Sequence, residues 1–315
     1  MQGLLITNVI KILDKAGYVV TDLAETKPRC FDIVARKGEI VLFLKILYNI
    51  DSFKSEMAKE MKIIARVLKA SPVVIGERYK SDYLERGVVY TRYGIPVLNM
   101  ATFYDMIVED IKPLIYSAPG GYYVRLDNEK IKRAREELGM SAGELAMLLG
   151  VSRRTVMLYE EGIDTNIENA IKLEEILGES VVREIDVLNF IENLEELEDG
   201  EMYDYGEKEG EIIFNLREIG VDVIPVKHAP FDVISKPEDE PVLTGIKQVR
   251  EIGKRISHMG KISEIVSKMA AYIVEREVKC RDDNVVIVMK EELNCISNPK
   301  DFYRLLYEKK DRQEE

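Results

Sequence analysis

The sequence predicts a multidomain α/β plus all-α chain, with a compact helical domain between two α/β domains related by internal duplication. Three observations predict it. The 315 residues are enough for two or three domains with sizeable cores. Both outer regions alternate short apolar β runs with amphipathic helices, the pattern of sheets covered by helices. Between them, Met140 to Gly162 carries two helix caps, a terminating glycine and apolar residues at helical spacing. The expected divisions are 1–118 for the first α/β domain, 122–191 for the helical domain, 192–210 for an acidic linker, 211–308 for the second α/β domain and 309–315 for a charged tail.

The first outer region begins with a helix that ends at a glycine and leads into the β run Gly17-Tyr18-Val19-Val20. Next come the box Phe31-Asp32-Ile33-Val34 and the apolar run VLFLKIL (41–47), which contains Lys45. A helix and a strand follow in IARVLKASPVVIGER (64–78), then Val88-Val89, then Phe103-Tyr104 in a closing helix. The second outer region repeats the series. GVDVI (220–224) follows a helix, Phe231-Asp232-Val233-Ile234 repeats the box, and VLTGIKQV (242–249) puts Lys247 at the place of Lys45. ISEIVSKMAAYIVER (262–276) aligns with 64–78 without a gap, Val285-Val286 matches Val88-Val89, and Phe302-Tyr303 matches Phe103-Tyr104. Order, spacing and residue type agree along the whole length, which a duplication explains. Two unrelated domains sharing generic strand–helix alternation are the alternative. Each copy reads helix, three strands, helix, two strands, helix.

The run Ala118-Pro119-Gly120-Gly121 is expected to be a turn and hinge before the helical domain. Within that domain, Ser141 and Glu144 form a capping-box pattern. Leu145, Ala146 and Leu149 give the first helix one buried face, and Gly150 can take the left-handed conformation that stops it. Ser152 caps the next helix, whose inward face is Val156 and Tyr159. Arg153, Arg154 and, one turn later, Leu158 are left pointing outward. This is a helix-turn-helix whose second helix presents two arginines at its N-terminal end, where such helices meet base edges. A further helix carrying Ile185, Leu188 and Ile191 is expected, followed by an acidic, glycine-punctuated linker.

Composition narrows the function classes. Hydrophobic content of 46% and charged content of 32% describe a soluble globular protein. No apolar run approaches a membrane span and no basic segment precedes an apolar stretch at the N-terminus, so a cytoplasmic protein with no membrane partner is expected. Cys30, Cys280 and Cys295, with His228 and His258, lack metal-ligand spacing and read as reduced thiols. The net charge is −12, so nucleic acid must be met through a local patch. Between Arg125 and Arg154 there are seven basic residues against five acidic, a local excess of two.

The segment from about Asn128 to Leu188 resembles the Cro/repressor (XRE-like) family of DNA-binding domains, through Leu145, Ala146, Gly150, Val151, Ser152, Val156, Tyr159, Glu160 and Gly162. The resemblance implies a lambda-repressor-like fold. It implies a structural pair between Arg135 and Glu160, and base contacts from Arg153, Arg154 and Leu158. The family often has Gln at the start of the first motif helix; here that position is Ala142, so the resemblance carries no contact there. Ser152, Thr155, Lys130 and Lys132 are expected to meet the DNA backbone.

The order of elements in the outer regions resembles the restriction-endonuclease-like fold, which includes Holliday-junction resolvases. Those nucleases hold Mg²⁺ with an Asp and the acid of an acid-x-Lys motif on the next strand. Asp32 and Lys45 match the first and last positions in the first copy, and Asp232 and Lys247 in the second. The acid position is Phe43 in one and Gly245 in the other. A hard divalent ion needs several oxygen ligands, so these four residues read as vestigial nuclease positions, and no catalytic residue, metal or cofactor is expected. Relocation of the acid to Glu56 or Glu60 is the alternative.

As a whole, through GGYYVRLD, GVSRRTVMLYEEG and the two Phe-Asp boxes, the chain resembles an archaeal family of HTH-type transcriptional regulators. The implied function is sequence-specific binding of double-stranded DNA, as a homodimer that reads a two-fold site. Two other classes compete: a metal-dependent nuclease or junction-binding protein guided by the helix-turn-helix, and an interaction scaffold or antitoxin-like partner. Operator, effector and direction of regulation are not written in the sequence.

Overall fold

The computed structural model describes residues 2–23, 29–188, 206–236, 240–249, 251–276, 278 and 282–314. Ile191, Cys280 and residues 192–205 of the expected acidic linker lie outside them, and 207–210 of that linker belong to a helix. The chain divides into two compact units. One comprises Met1–Ile46, Ser52–Pro72 and Phe190–Glu315, the other Leu47–Asp51 and Val73–Asn189.

The first unit opens with α1 (Gln2–Lys15), which buries Ile6, Val9 and Leu13 on one face. Gly17, at φ +79°, lets the chain reverse, with Tyr18 N–H donating to the Leu13 carbonyl. Strands β1 (Val19–Asp22), β2 (Ile33–Lys37) and β3 (Ile40–Asn49) then form an antiparallel meander. The apolar side chains of β2 and most of those of β3 are buried, whereas Val19 on the edge strand β1 is exposed. Helix α2 (Ser55–Val67) buries Ala58, Met61, Ile64 and Ala65, and also the carboxylate of Glu60.

The second unit holds β4 (Ser71–Tyr79, from Val73 onward), β5 (Asp82–Tyr83), β6 (Val88–Arg92) and β7 (Ile95–Leu98). Helix α3 (Met100–Val108) follows, capped by Asn99 and burying Phe103 and Met106. Strands β8 (Ile115–Ala118) and β9 (Gly121–Leu126) come next. The strand order here is β4-β7-β6-β8-β9, with β5 paired to β4. Pro119 and Gly120, the latter at φ +99°, make the two-residue turn joining β8 to β9. The run read from sequence as a hinge is thus a hairpin turn inside a continuous sheet.

Helices α4 (Asn128–Glu137), α5 (Ala142–Leu149), α6 (Arg153–Glu160) and α7 (Ile167–Leu177) close around Ile131, Leu145, Leu149, Val156, Tyr159, Leu173 and Leu177, with Val124 and Leu126 of β9 in the same core. Two short strands, β10 (Thr165–Asn166) and β11 (Val182–Arg183), pair with β9. The helix expected to carry Ile185 and Leu188 does not form. After β11 the chain stays out of helical hydrogen bonding, and the Ile185 N–H donates to the Pro113 carbonyl.

The remaining elements return to the first unit: α8 (Glu207–Glu218), β12 (Asp222–Pro225), β13 (Val233–Lys236), β14 (Val242–Gly245), α9 (Ile252–Val266), β15 (Ala270–Val274), β16 (Val285–Met289), α10 (Lys290–Leu293) and α11 (Pro299–Glu314). The sheet runs β12-β13-β14-β15-β16, its first three strands antiparallel and its last three parallel. Ile212, Leu216, Val233, Ile273, Phe302 and Leu306 are among its core residues. The meander β12-β13-β14 has the order and sense of β1-β2-β3. The outer segments differ further on. Beyond β15 the next strand, parallel to it, is β16, whereas the strand parallel to β4 is β7 and not β6. Val88-Val89 and Val285-Val286 therefore lie on strands of different rank.

Within this unit the two meanders are tied together. Helix α9 packs on β1 and β2 as well as on its own sheet. The buried Glu60 carboxylate accepts from the backbone N–H groups of Lys227 and His228, at 2.5 and 2.8 Å, and contacts the His228 Nδ1 at 2.9 Å. Cys30 N–H donates to the His228 carbonyl at 2.7 Å.

Candidate nucleic-acid interface

The local sequence fixes α5 and α6. Ser141 Oγ accepts from the Glu144 N–H at 3.2 Å while Glu144 Oε2 accepts from the Ser141 N–H at 2.7 Å, a complete capping box. These bonds hold the exposed Glu144 carboxyl below the usual carboxylate range. Gly150, at φ +72°, ends α5. Ser152 caps α6 by accepting from the Thr155 N–H at 3.1 Å, and the two hydroxyls lie 2.8 Å apart. One hydroxyl donates to the other, so one outward O–H remains between them.

On this frame Arg153 and Arg154 are exposed at the first turn of α6 and make no hydrogen bond or ion pair among the described residues. The backbone N–H groups of that turn add the positive end of the helix dipole. Leu158 is half-buried, while Met157, one turn beyond Arg153, is 46% exposed. Sequence reasoning passed over Met157, although a four-residue step from Arg153 identifies its face. Thr155 is half-buried through its cap. Lys132 is exposed on α4, and Lys130 is half-buried beside Asp127, 4.0 Å away. No ion pair links either lysine to α6 among the described residues.

Arg135 and Glu160 meet. Arg135 Nε and Nη2 donate to the two Glu160 oxygens at 2.5 and 3.2 Å, and Nη1 donates to the Met140 carbonyl at 2.7 Å. The side chains are 11% and 14% exposed. The hydrogen bonds to Glu160 raise the Arg135 pKa, and the pair locks α4 to α6.

The aspartates of the two boxes are fully buried. Asp32 accepts from Arg29 Nε, from Lys45 Nζ at 3.4 Å and from the Ile46 N–H at 2.8 Å. Burial lowers the Lys45 pKa, and Asp32 offsets part of that. Asp232 accepts from the Ile246 and Lys247 N–H groups at 2.9 and 3.0 Å, from Arg255 Nη2 at 2.7 Å and from Lys247 Nζ at 3.1 Å. Each site thus sets one carboxylate against two cations. Phe43 is buried against Phe31, ring centroids 4.6 Å apart. A Cβ on Gly245 would lie 2.4 Å from the Tyr272 ring, so that ring fills the space of a side chain there. Glu60 is committed to the 227–228 backbone, and Glu56 is exposed. Arg29, Arg255 and Tyr272 had no signal in the sequence: each acquires its role through the fold.

Two family models match the chain: a PD-(D/E)XK superfamily domain over residues 2–113 and a helix-turn-helix over residues 131–182. Relatives from several archaea carry the name "Putative HTH-type transcriptional regulatory protein". That of Archaeoglobus fulgidus is 58% identical over 310 residues, covering 98% of this chain and 99% of the relative. That of Methanococcoides burtonii is 38% identical over 324 residues, covering 100% and 99%. That of Methanosarcina acetivorans is 37% identical over 321 residues, covering 98% of each. No solved structure matches the chain. With identity spread over almost the full length of both partners, the chain belongs to the HTH-type transcriptional regulatory protein family found across archaea.

Proposed function

We propose that the chain is a sequence-specific transcriptional regulator that reads double-stranded DNA through α6 and acts as a homodimer. The observation that carries this is the pair Arg153 and Arg154, exposed, uncommitted and rigidly presented at the capped start of α6. A guanidinium there has the reach and fork geometry for guanine O6 and N7. Met157 and Leu158 supply apolar surface of the kind that meets a thymine methyl. Ser152, Thr155, Lys130 and Lys132 are assigned to phosphate. Dimerisation follows from mechanism: one short helix reads few bases, and a two-fold protein doubles the site at one helical turn, about 34–36 Å.

The regions flanking 122–191 are taken as two nuclease-like domains that arose by duplication and do not cleave. Support for common descent comes from the equivalent ties of Asp32 and Asp232 to the strand that follows, through Ile46 and Ile246. Support for lost chemistry comes from charge. A divalent ion beside Asp32 or Asp232 would face a cluster that is already net positive, with its carboxylate lone pairs taken.

The test is selection of genomic fragments by the full-length protein at physiological salt, followed by footprinting. Enrichment of a two-fold sequence, lost in Arg153→Ala and Arg154→Ala, is the expected result. Recovery of unenriched fragments would remove the assignment.

A further inference from the structure

The second unit carries a cleft of about 390 Å³ away from α6, lined by Ile50, Tyr79, Tyr90, Thr91 and Arg92, and by residues 117–119 of the β8–β9 turn. That volume suits a nucleobase with its sugar. Its aromatic walls differ in kind. The Tyr90 hydroxyl is fixed, accepting from the Glu85 N–H at 3.0 Å and lying 3.3 Å from the Tyr122 hydroxyl. Tyr79 is 37% exposed, and its hydroxyl has no partner among the described residues. Its ring is crossed by Lys80, 5.2 Å from the centroid. Arg92 lies over the ring of the exposed Tyr93 at 4.8 Å and leaves its buried Nε–H without an acceptor.

Both hairpin tips beside the cleft hold a non-glycine residue in the left-handed region, Lys80 at φ +53° and Tyr93 at φ +51°. Such a conformation is uncommon for a bulky residue and is the one a two-residue hairpin turn requires at its first position. Asp51 joins the tips, accepting from the Lys80 N–H at 2.8 Å and approaching Arg92 at 3.7 Å. With Asp82 opposite Tyr79 in the hairpin register, two carboxylates balance Lys80 and Arg92. The cleft is therefore not a Coulombic phosphate trap. What it offers is the rings of Tyr79 and Tyr90, with Lys80 over one face of Tyr79 and Arg92 on the same wall.

We propose that this cleft binds a nucleotide, its base against Tyr79 and Tyr90 and its phosphate turned toward Arg92 and Lys80. Stacking supplies most of the affinity, because every base has a π-face and the local charge is balanced. The same chemistry is presented by a free nucleotide and by an unpaired nucleotide within a strand. This site stands independently of the α6 reading, since none of its residues belongs to α5 or α6.

Binding to the full-length protein is measured by calorimetry with ATP and GTP, and by fluorescence anisotropy with a labelled oligodeoxyadenylate of about 12 nucleotides. Saturation by the nucleotides identifies a free effector, and saturation by the oligonucleotide alone identifies a strand. In either case Tyr79→Ala should weaken binding about tenfold or more, Tyr79→Phe should restore it, and Arg92→Gln should weaken it, while duplex binding through α6 is unchanged. For the strand, the salt dependence should correspond to no more than about two phosphates. Ultraviolet crosslinking of the unaltered protein to a bromo-substituted probe should label residues within 79–93, which tests the site even if a variant fails to fold. Absence of saturation by all three probes up to about 1 mM would overturn the proposal. So would Tyr79→Ala binding like the parent, or a crosslink confined to α5 and α6.

Discussion

Glu160→Gln should loosen the helical domain by about 2–3 kcal/mol, between the values for exposed and fully buried ion pairs. Fully exposed pairs contribute about 0.2–1 kcal/mol, whereas breaking a fully buried pair costs about 3–5 kcal/mol. Arg135 and Glu160 keep only 11% and 14% of their side-chain surface in water, which moves the figure toward the upper range. Two features bring it back down. Arg135 retains the Met140 carbonyl at 2.7 Å, and Glu136 remains 3.5 Å away. The assay is amide hydrogen exchange on the full-length protein, comparing opening free energies in α4 and α6 with those in α11, which belongs to the other unit. The cycle is completed by Arg135→Met and by Arg135→Met with Glu160→Gln. The double variant should lose less than the sum of the singles by about 2 kcal/mol, because it leaves no uncompensated charge. A coupling below about 0.5 kcal/mol, or equal loss of protection in α11, would refute the pair as the lock between α4 and α6.

Arg153→Ala and Arg154→Ala should each cost about 1–3 kcal/mol at a selected site and relax base preference, while Lys132→Ala should weaken all sequences alike; equal effects of the two classes in a competition binding assay would contradict the assignment. The α5 cap should fail in acid. Glu144 is held below its ordinary pKa by its bonds to Ser141, so its contribution is present above the unfolded glutamate range and is lost as pH falls through the folded value; exchange of the first α5 amides, followed downward from about pH 5, reads this directly. Gly245→Ala should destabilise the first unit by about 1–3 kcal/mol in a denaturant titration, because its Cβ would meet the Tyr272 ring at 2.4 Å. Duplex, single-stranded and four-way-junction DNA should survive incubation with the protein in Mg²⁺ or Mn²⁺, and cleavage abolished by Asp32→Ala would reverse that reading.

What the sequence disclosed was what is written locally. Ser141 with Glu144, Gly150 and Ser152 define their helix ends within four residues of themselves, so α5 and α6 were legible to the residue. Arg135 and Glu160 came through the family resemblance, since nothing in the spacing of a charged pair 25 residues apart specifies a contact. The short strands β10 and β11 were not legible: each is two residues long and exists only because β9 offers backbone groups. Ile185 and Leu188 illustrate the opposite failure. Their three-residue spacing imitates a helix face, yet the Ile185 N–H is taken by Pro113 from far upstream. The match of Val88-Val89 to Val285-Val286 followed residue type into a strand of the wrong rank, because valine pairs suit any buried strand.

The two Phe-Asp boxes connect fold and function at the points where sequence and structure diverged most. On the proposed reading each buried aspartate once stood beside a second acid, and two physical fates were open to it when that acid was lost. Left alone, its charge is uncompensated and costs several kcal/mol, which a mutation to a neutral residue would relieve. Compensated, it becomes a structural centre whose removal is itself costly. Both aspartates here took the second course with different parts. Asp32 drew Arg29 from its own loop, three residues before it, and Asp232 drew Arg255 from α9. Asp32 also binds Lys45 and the Ile46 N–H of β3, and Asp232 binds the Ile246 and Lys247 N–H groups and Lys247 Nζ just past β14. Because Val34 pairs with Phe43 and Ile234 with Leu243, Gly245 takes the place of Lys45, and Lys247 lies two residues beyond the match expected from sequence. Phe43 of β3 packs on Phe31 beside one site, and the Tyr272 ring of β15 fills the space over Gly245 beside the other. Restoring an acid at 43 or 245 would therefore not restore a metal site on its own. Arg29 and Arg255 would still occupy the carboxylates, and at 245 the Tyr272 ring would still occupy the space. On the proposed reading, the nuclease-like framework persists because its former catalytic aspartates now hold its sheets together, and DNA contact has passed to α6.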